Sequence, residues 1–189
     1  MGVGTEGLYG ELLATAMRLA SSEMSLAIPS LRAVARECGV SATAVYRHFS
    51  SQSALNQAVL LAVDASMIKA LGGSDDPRRS PSQRLCDIAY AYLSWGLANP
   101  GLYQLRFESA DQLGADYVRT DAADTLLALI DELFRSSGTA SALTAEDLWV
   151  SLHGVVSLRI HKSGRVWSTP AVEQVGRMLA EWGLADRRA

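Results

Sequence analysis

Lysine is nearly missing from this chain. Lys69 and Lys162 are the only two, so fifteen of the seventeen basic residues are Arg. Against 20 Asp and Glu in 189 residues the formal charge is −3, which excludes a broadly cationic surface that would bind any nucleic acid by charge alone. Cysteine is as scarce. Cys38 and Cys86 stand far apart without Cys-x-x-Cys spacing, so two reduced thiols are expected rather than a disulfide framework. No uninterrupted apolar run approaches the roughly 18 residues of a membrane span. The opening MGVGTEG has no basic-then-apolar export build and, with Glu6, no myristoylation pattern. A cytoplasmic protein away from membranes is expected. There is no phosphate-binding loop, no Gly-x-Ser-x-Gly elbow and no His-Glu-x-x-His pair. His153 and His161 lack further ligands at metal spacing. Neither a catalytic group nor a metal or cofactor is expected.

Hydrophobic residues make up 49% of the chain and charged ones 20%, enough for a real core and too apolar for a disordered chain. The punctuation is helical throughout. Leu8, Leu12, Ala16 and Leu19 form a stripe of helical period, predicting helix 1 over 8–22. Pro29 breaks the chain, Ser30 can cap a second helix from Leu31 to Cys38, and Gly39 closes it. Ser41 can cap a third, Ala42 to His48, and a fourth runs over 52–71. The loop GGSDDPRRSPS (72–82) precedes helix 5, which Ser80, Pro81 and Gln83 open as a capping box. Asn99-Pro100 opens helix 6 over 100–108, and helix 7 follows to about Arg135, with a break in composition at 111–116. Thr144 caps helix 8 and Thr169-Pro170 opens helix 9, which Gly183 stops. The expected fold is all-α with about nine helices.

Residues 30–49, SLRAVARECGVSATAVYRHF, hold two short helices joined at Gly39, with Leu31, Val34, Ala35 and Val40 inward. This is the build of a helix-turn-helix, whose second helix enters the major groove of DNA. Ala42, Thr43 and Ala44 are small enough for close approach to base edges, and Thr43 can hydrogen-bond or touch a thymine methyl. Tyr46, Arg47 and His48 can reach phosphate oxygens, while Val45 and Phe49 would anchor the core.

The run SLRAVARECGVSATAVYRHFSSQSAL resembles the TetR family of bacterial transcriptional regulators, most specifically at Tyr46-Arg47-His48-Phe49. ANPGLYQLRFE (98–108) and LWVSLHGVVSLR (148–159) resemble the C-terminal domain of a subgroup named for Trp-His-Gly residues, here Trp149, His153 and Gly154. The resemblance implies a helix-turn-helix DNA-binding domain over 1–50 and a ligand-binding and dimerisation domain over 51–189, bridged by helix 4. It implies DNA contacts, chiefly to the backbone, from Ser30, Thr43, Tyr46 and His48, with Ala42, Thr43 and Ala44 nearest the bases; Ser41 and Arg47 are expected at the same surface. Gln52 stands where many relatives carry a phosphate-binding Lys, and is expected to offer a neutral hydrogen bond instead. Trp95, Tyr103, Phe107, Trp149 and His153 are the expected effector contacts. Arg106 faces either an anionic ligand or solvent. Apolar residues on several faces of helices 8 and 9, among them Leu152, Val156, Val172, Val175, Leu179 and Trp182, are expected at a homodimer interface. Gly154 and Gly176 are expected to mark close helix crossings.

The expected function is a ligand-responsive repressor. Its partners would be a near-palindromic double-stranded operator, a small-molecule effector and a second copy of itself. A small-molecule-binding or interaction protein of the same fold that has lost operator binding is the alternative. Residues 30–50 carry Arg32, Arg36 and Arg47 against Glu37, so the local excess is positive although the whole chain is acidic.

Overall fold

The computed structural model describes residues 5–22, 27–108, 121–138 and 143–184, with 5, 6, 22 and 121–123 described by backbone alone. Among the described residues there are nine α-helices and no strand. They are α1 (Thr5–Ser22), α2 (Leu31–Glu37), α3 (Ala42–Tyr46), α4 (Gln52–Ser74), α5 (Pro81–Ala98), α6 (Pro100–Glu108), α7 (Asp121–Ser136), α8 (Ala145–His161) and α9 (Ala171–Glu181). The compositional break at 111–116 lies outside the described residues.

Local chemistry accounts for the ends. Ser80 N–H donates to Gln83 Oε1 at 3.1 Å and Gln83 N–H returns to Ser80 Oγ at 3.3 Å, closing the expected capping box. Thr144 and Asp147 form another before α8, and those bonds hold the Asp147 carboxyl below its ordinary range. At Gly39 and Gly183, φ is +66° and +73°. Each lets the chain fold back onto the last turn, as the Gly39 N–H to Arg36 O and Val40 N–H to Ala35 O bonds show.

The chain forms two compact units. The first takes in the described parts of Met1–Ala65 and of Asn99–Arg119, so α6 joins α1–α3 and the first part of α4. Its core includes Leu12, Ala16, Val34, Val45, Phe49, Leu55, Val59 and Val63. Two contacts hold α6 there. A Cβ on Gly101 would lie 2.8–2.9 Å from the backbone of Ala20 and Ser21, so α6 begins against the end of α1. Further along, Arg106 donates to Asp64 of α4, a largely buried ion pair. Arg106 therefore meets a carboxylate of its own chain.

The second unit comprises Ser66–Ala98 and the described part of Thr120–Ala189. Leu85, Ile88 and Tyr92 of α5 are buried with Leu148, Leu152, Val156 and Ile160 of α8 and Val175 and Leu179 of α9. Leu152, Val156, Val175 and Leu179, expected at a subunit interface, are thus interior side chains that hold their own unit together. Val172 remains exposed and Trp182 half-buried. Gly176 does sit at a close approach, with Tyr90 Oη 3.0 Å from where its Cβ would be. Nothing lies within 4 Å of the corresponding point on Gly154, so that glycine marks no crossing inside the described chain.

Among the described residues α4 is long and apolar enough to cross a membrane by length and composition. Counting uninterrupted runs passes it over because Asp64 and Lys69 fall within it. It is a core helix, with Leu55, Val59, Leu60, Val63, Met67 and Leu71 buried.

Gly101→Ala should lower stability by about 1–3 kcal/mol, since the added methyl meets backbone that cannot rotate away. Urea unfolding followed by circular dichroism would measure it, and an unchanged midpoint would contradict the close approach.

Candidate nucleic-acid interface

The first unit presents a short helix outward. Ser30 Oγ accepts from Ala33 N–H at 3.2 Å and caps α2, and Ser41 Oγ accepts from Ala44 N–H at 3.2 Å and caps α3. Leu31, Val34 and Ala35 turn α2 inward, while Val45 and Phe49 anchor α3 and the turn after it. What they leave outside is Ser41, Ala42, Thr43, Tyr46 and Arg47, all exposed, flanked by half-buried Ala44 and His48. Tyr46 is 50% exposed, so its ring and hydroxyl are open to solvent on this face. The structure therefore brings the expected α3 residues onto one surface, with Ser30 exposed at the start of α2.

Two features change the expected electrostatics. Glu37 is paired with Arg18 of α1 at 2.7 Å, so the acidic residue of the motif has an internal partner while Arg32, Arg36 and Arg47 stay exposed or nearly so. Gln52 is turned inward. Its amide donates twice and accepts once within the unit, leaving no hydrogen to offer a phosphate. The expected contact is corrected for a simple reason: a carboxamide has only two N–H donors.

Tyr9 of α1 escaped the sequence reading. Its ring centroid lies 5.1 Å from that of Phe49 and 6.3 Å from that of His48, so it braces the end of the motif from outside. Its separation from His48 by nearly forty residues left no local signal.

The expected effector residues fall in both units. The rings of Tyr103 and Phe107 meet at a tilt of 49° with centroids 4.7 Å apart in the first, where Tyr103 is fully buried. In the second, buried Trp95 donates to Ser66 Oγ at 3.2 Å. Trp149 and His153 meet edge to face at 6.5 Å on α8, with Trp149 exposed.

Comparison with known proteins bears on both halves. Residues 12–59 match the profile described as bacterial regulatory proteins, tetR family, and residues 85–182 match the tetracyclin repressor-like C-terminal domain. No curated protein matches the chain. Among solved structures, a putative tetR family transcription regulator from Shewanella sp. PV-4 is 25% identical, with 93% of this chain and 96% of that one covered and a TM-score of 0.65. A protein of unknown function from Rhodococcus sp. RHA1 is 24% identical over 96% and 94%, with a TM-score of 0.73. The TetR family transcriptional regulator PfmR from Thermus thermophilus is 16% identical over 94% and 99%, with a TM-score of 0.67.

Ser41→Ala removes the side-chain acceptor for Ala44 N–H and should cost about 1 kcal/mol of stability. Chemical denaturation would detect it, and a loss below a few tenths would show that α3 needs no cap.

Proposed function

The chain belongs to the TetR family of bacterial transcriptional regulators, and from that premise we propose that it is a homodimeric repressor released from a near-palindromic operator by a small molecule. The observation that carries this reading is the exposed face of Ala42, Thr43, Tyr46 and Arg47, held out by buried Val45 and Phe49. Small residues near base edges and longer polar ones toward the backbone suit major-groove docking. Two such helices on a symmetric dimer would occupy grooves about 34–36 Å apart.

A second copy is supported by apolar surface on the second unit. Val150 is 67% exposed and Leu158 52%, four residues to either side of open Gly154 on α8, with Val172 of α9 at 54%. The α8 face of Val150 and Leu158, with Val172 and half-buried Trp182 on α9 as further apolar surface, takes the place of the interior residues as the proposed interface. Trp149 beside it suits the interface as well as a ligand. Trp149, His153 and Gly154 also carry the assignment to the Trp-His-Gly subgroup. An effector acts by binding one state of the dimer better than the other, and Trp95, Tyr103 and Phe107 are the side chains to probe for it. A repressor acting on a bacterial chromosome would work in the cytoplasm.

Wild-type protein should bind promoter DNA beside its own gene far better than random duplex in fluorescence anisotropy. Thr43→Ala and Tyr46→Ala should each weaken that binding roughly tenfold. Equal affinity of the wild type for both duplexes would sink the operator reading. Light scattering should give a dimer, and Val150→Glu with Leu158→Glu should yield folded monomer. A wild-type monomer would remove both the interface and the palindrome.

A further inference from the structure

Gln52 is the first residue of α4, and its carboxamide is engaged on both sides. Oε1 accepts from Leu31 N–H at 3.0 Å, while Nε2 donates to Pro29 O at 3.1 Å and to Asn56 Oδ1 at 2.9 Å. The first two partners flank Ser30, the residue whose hydroxyl caps α2. A single bond would let that segment swivel. Two bonds on either side of one residue fix its rotation as well as its distance. Leu31 N–H is also one of the donors that an α-helix leaves without an internal acceptor. Ser30 serves Ala33 and Gln52 serves Leu31, so α2 is capped in part by α4. Asn56, one turn along α4, orients the amide from behind. Since α2 leads into α3 through the tight turn at Gly39, this joint is a second tie between α3 and α4 beside the direct link over 47–51, and it fixes the side of the motif that the link leaves free.

We propose that Gln52 is a positioning residue whose amide sets the angle at which the helix-turn-helix is carried on α4, and thereby how strictly the protein selects the spacing of its operator half-sites. The inference rests on the operator-binding reading above. A stiff joint rejects a duplex whose half-sites are displaced by one base pair, about 3.4 Å along the axis. A loose joint lets each recognition helix follow the displaced site. A phosphate contact behaves differently, because losing one weakens every duplex by a similar factor.

Three variants separate these roles. Gln52→Met keeps the length and abolishes all three bonds. Gln52→Lys retains donors but has no acceptor for Leu31, and Gln52→Glu retains that acceptor without the donors. The first measurement is amide hydrogen exchange at Leu31 in the DNA-free protein. The second is affinity for a palindrome selected with the wild type, for the same palindrome with one base pair added between half-sites, and for random duplex. Gln52→Met and Gln52→Lys should exchange the Leu31 amide roughly fivefold faster or more, with Gln52→Glu near the wild type. Preference for the native spacing should fall about fivefold in Gln52→Met and Gln52→Lys and less in Gln52→Glu. Random-duplex affinity should stay level in Gln52→Met. If Gln52→Met weakens binding to all three duplexes equally, Gln52 is a phosphate ligand and the proposal is overturned. Unchanged Leu31 exchange in both Gln52→Met and Gln52→Lys would overturn the joint itself. Should Gln52→Met not fold, Gln52→Lys and Gln52→Glu still differ in the acceptor and give the same contrast. If the wild type selects no palindrome, the operator reading falls and the spacing role falls with it, while Leu31 exchange alone still decides the joint.

Discussion

A helix of five residues has no stability of its own in water, because nucleation fixes several dihedrals before many hydrogen bonds are gained. Everything around α3 answers that constraint. Val45 and Phe49 are buried beneath it, Ser41 caps it, and Tyr9 of α1 stacks against the segment that follows. With so little of its surface needed for holding itself, α3 leaves small side chains free at its start and long ones at its end. The exposed face of α3 exists because neighbouring elements supply the order that α3 cannot.

A similar dependence on neighbours governs α6. It lies far along the chain yet packs with the N-terminal helices, since Gly101 lets it begin against α1 and Arg106 ties it to Asp64 of α4. A carboxylate as deeply buried as Asp64 is tolerable only with a close partner, because an unpaired charge in that position costs several kcal/mol. Meanwhile α4 is shared by both units. The N-terminal unit is therefore discontinuous in sequence, built from the start of the chain and one returning helix.

Much of this was legible in the residues. Ser30, Ser41, Ser80, Thr144, Gly39 and Gly183 announce helix ends by short-range chemistry, and each acts where it was expected to. The α3 face could be read because the spacing of Val45 and Phe49 against Thr43, Tyr46 and Arg47 divides inside from outside. What depended on distant partners could not. Helical periodicity says that α8 has apolar faces, but Leu152 and Val150 differ only in what lies opposite them: Leu152 is buried within its own unit and Val150 is exposed. Gln52 and Arg106 look like free polar groups in the sequence, while Leu31 and Pro29, which Gln52 engages, and Asp64, which Arg106 meets, lie 21 to 42 residues away. A glycine has the same ambiguity: Gly154 and Gly176 both suggest a close crossing, and only Gly176 has one within the described chain.

Residues 30–50 carry only Arg32, Arg36 and Arg47 as cations, and Gln52 at the start of α4 is neutral and engaged within the unit, so the helix-turn-helix has few charges to place on phosphate. A chromosome offers about 10⁶–10⁹ wrong sites to any such protein, and the hold of those sites grows with each phosphate neutralised. On the proposed operator-binding function, weak adhesion to bulk DNA keeps more of the molecules in solution, where operator and effector are met by diffusion. A cell then needs fewer copies to keep one operator occupied, and a fall in copy number is felt sooner at the gene.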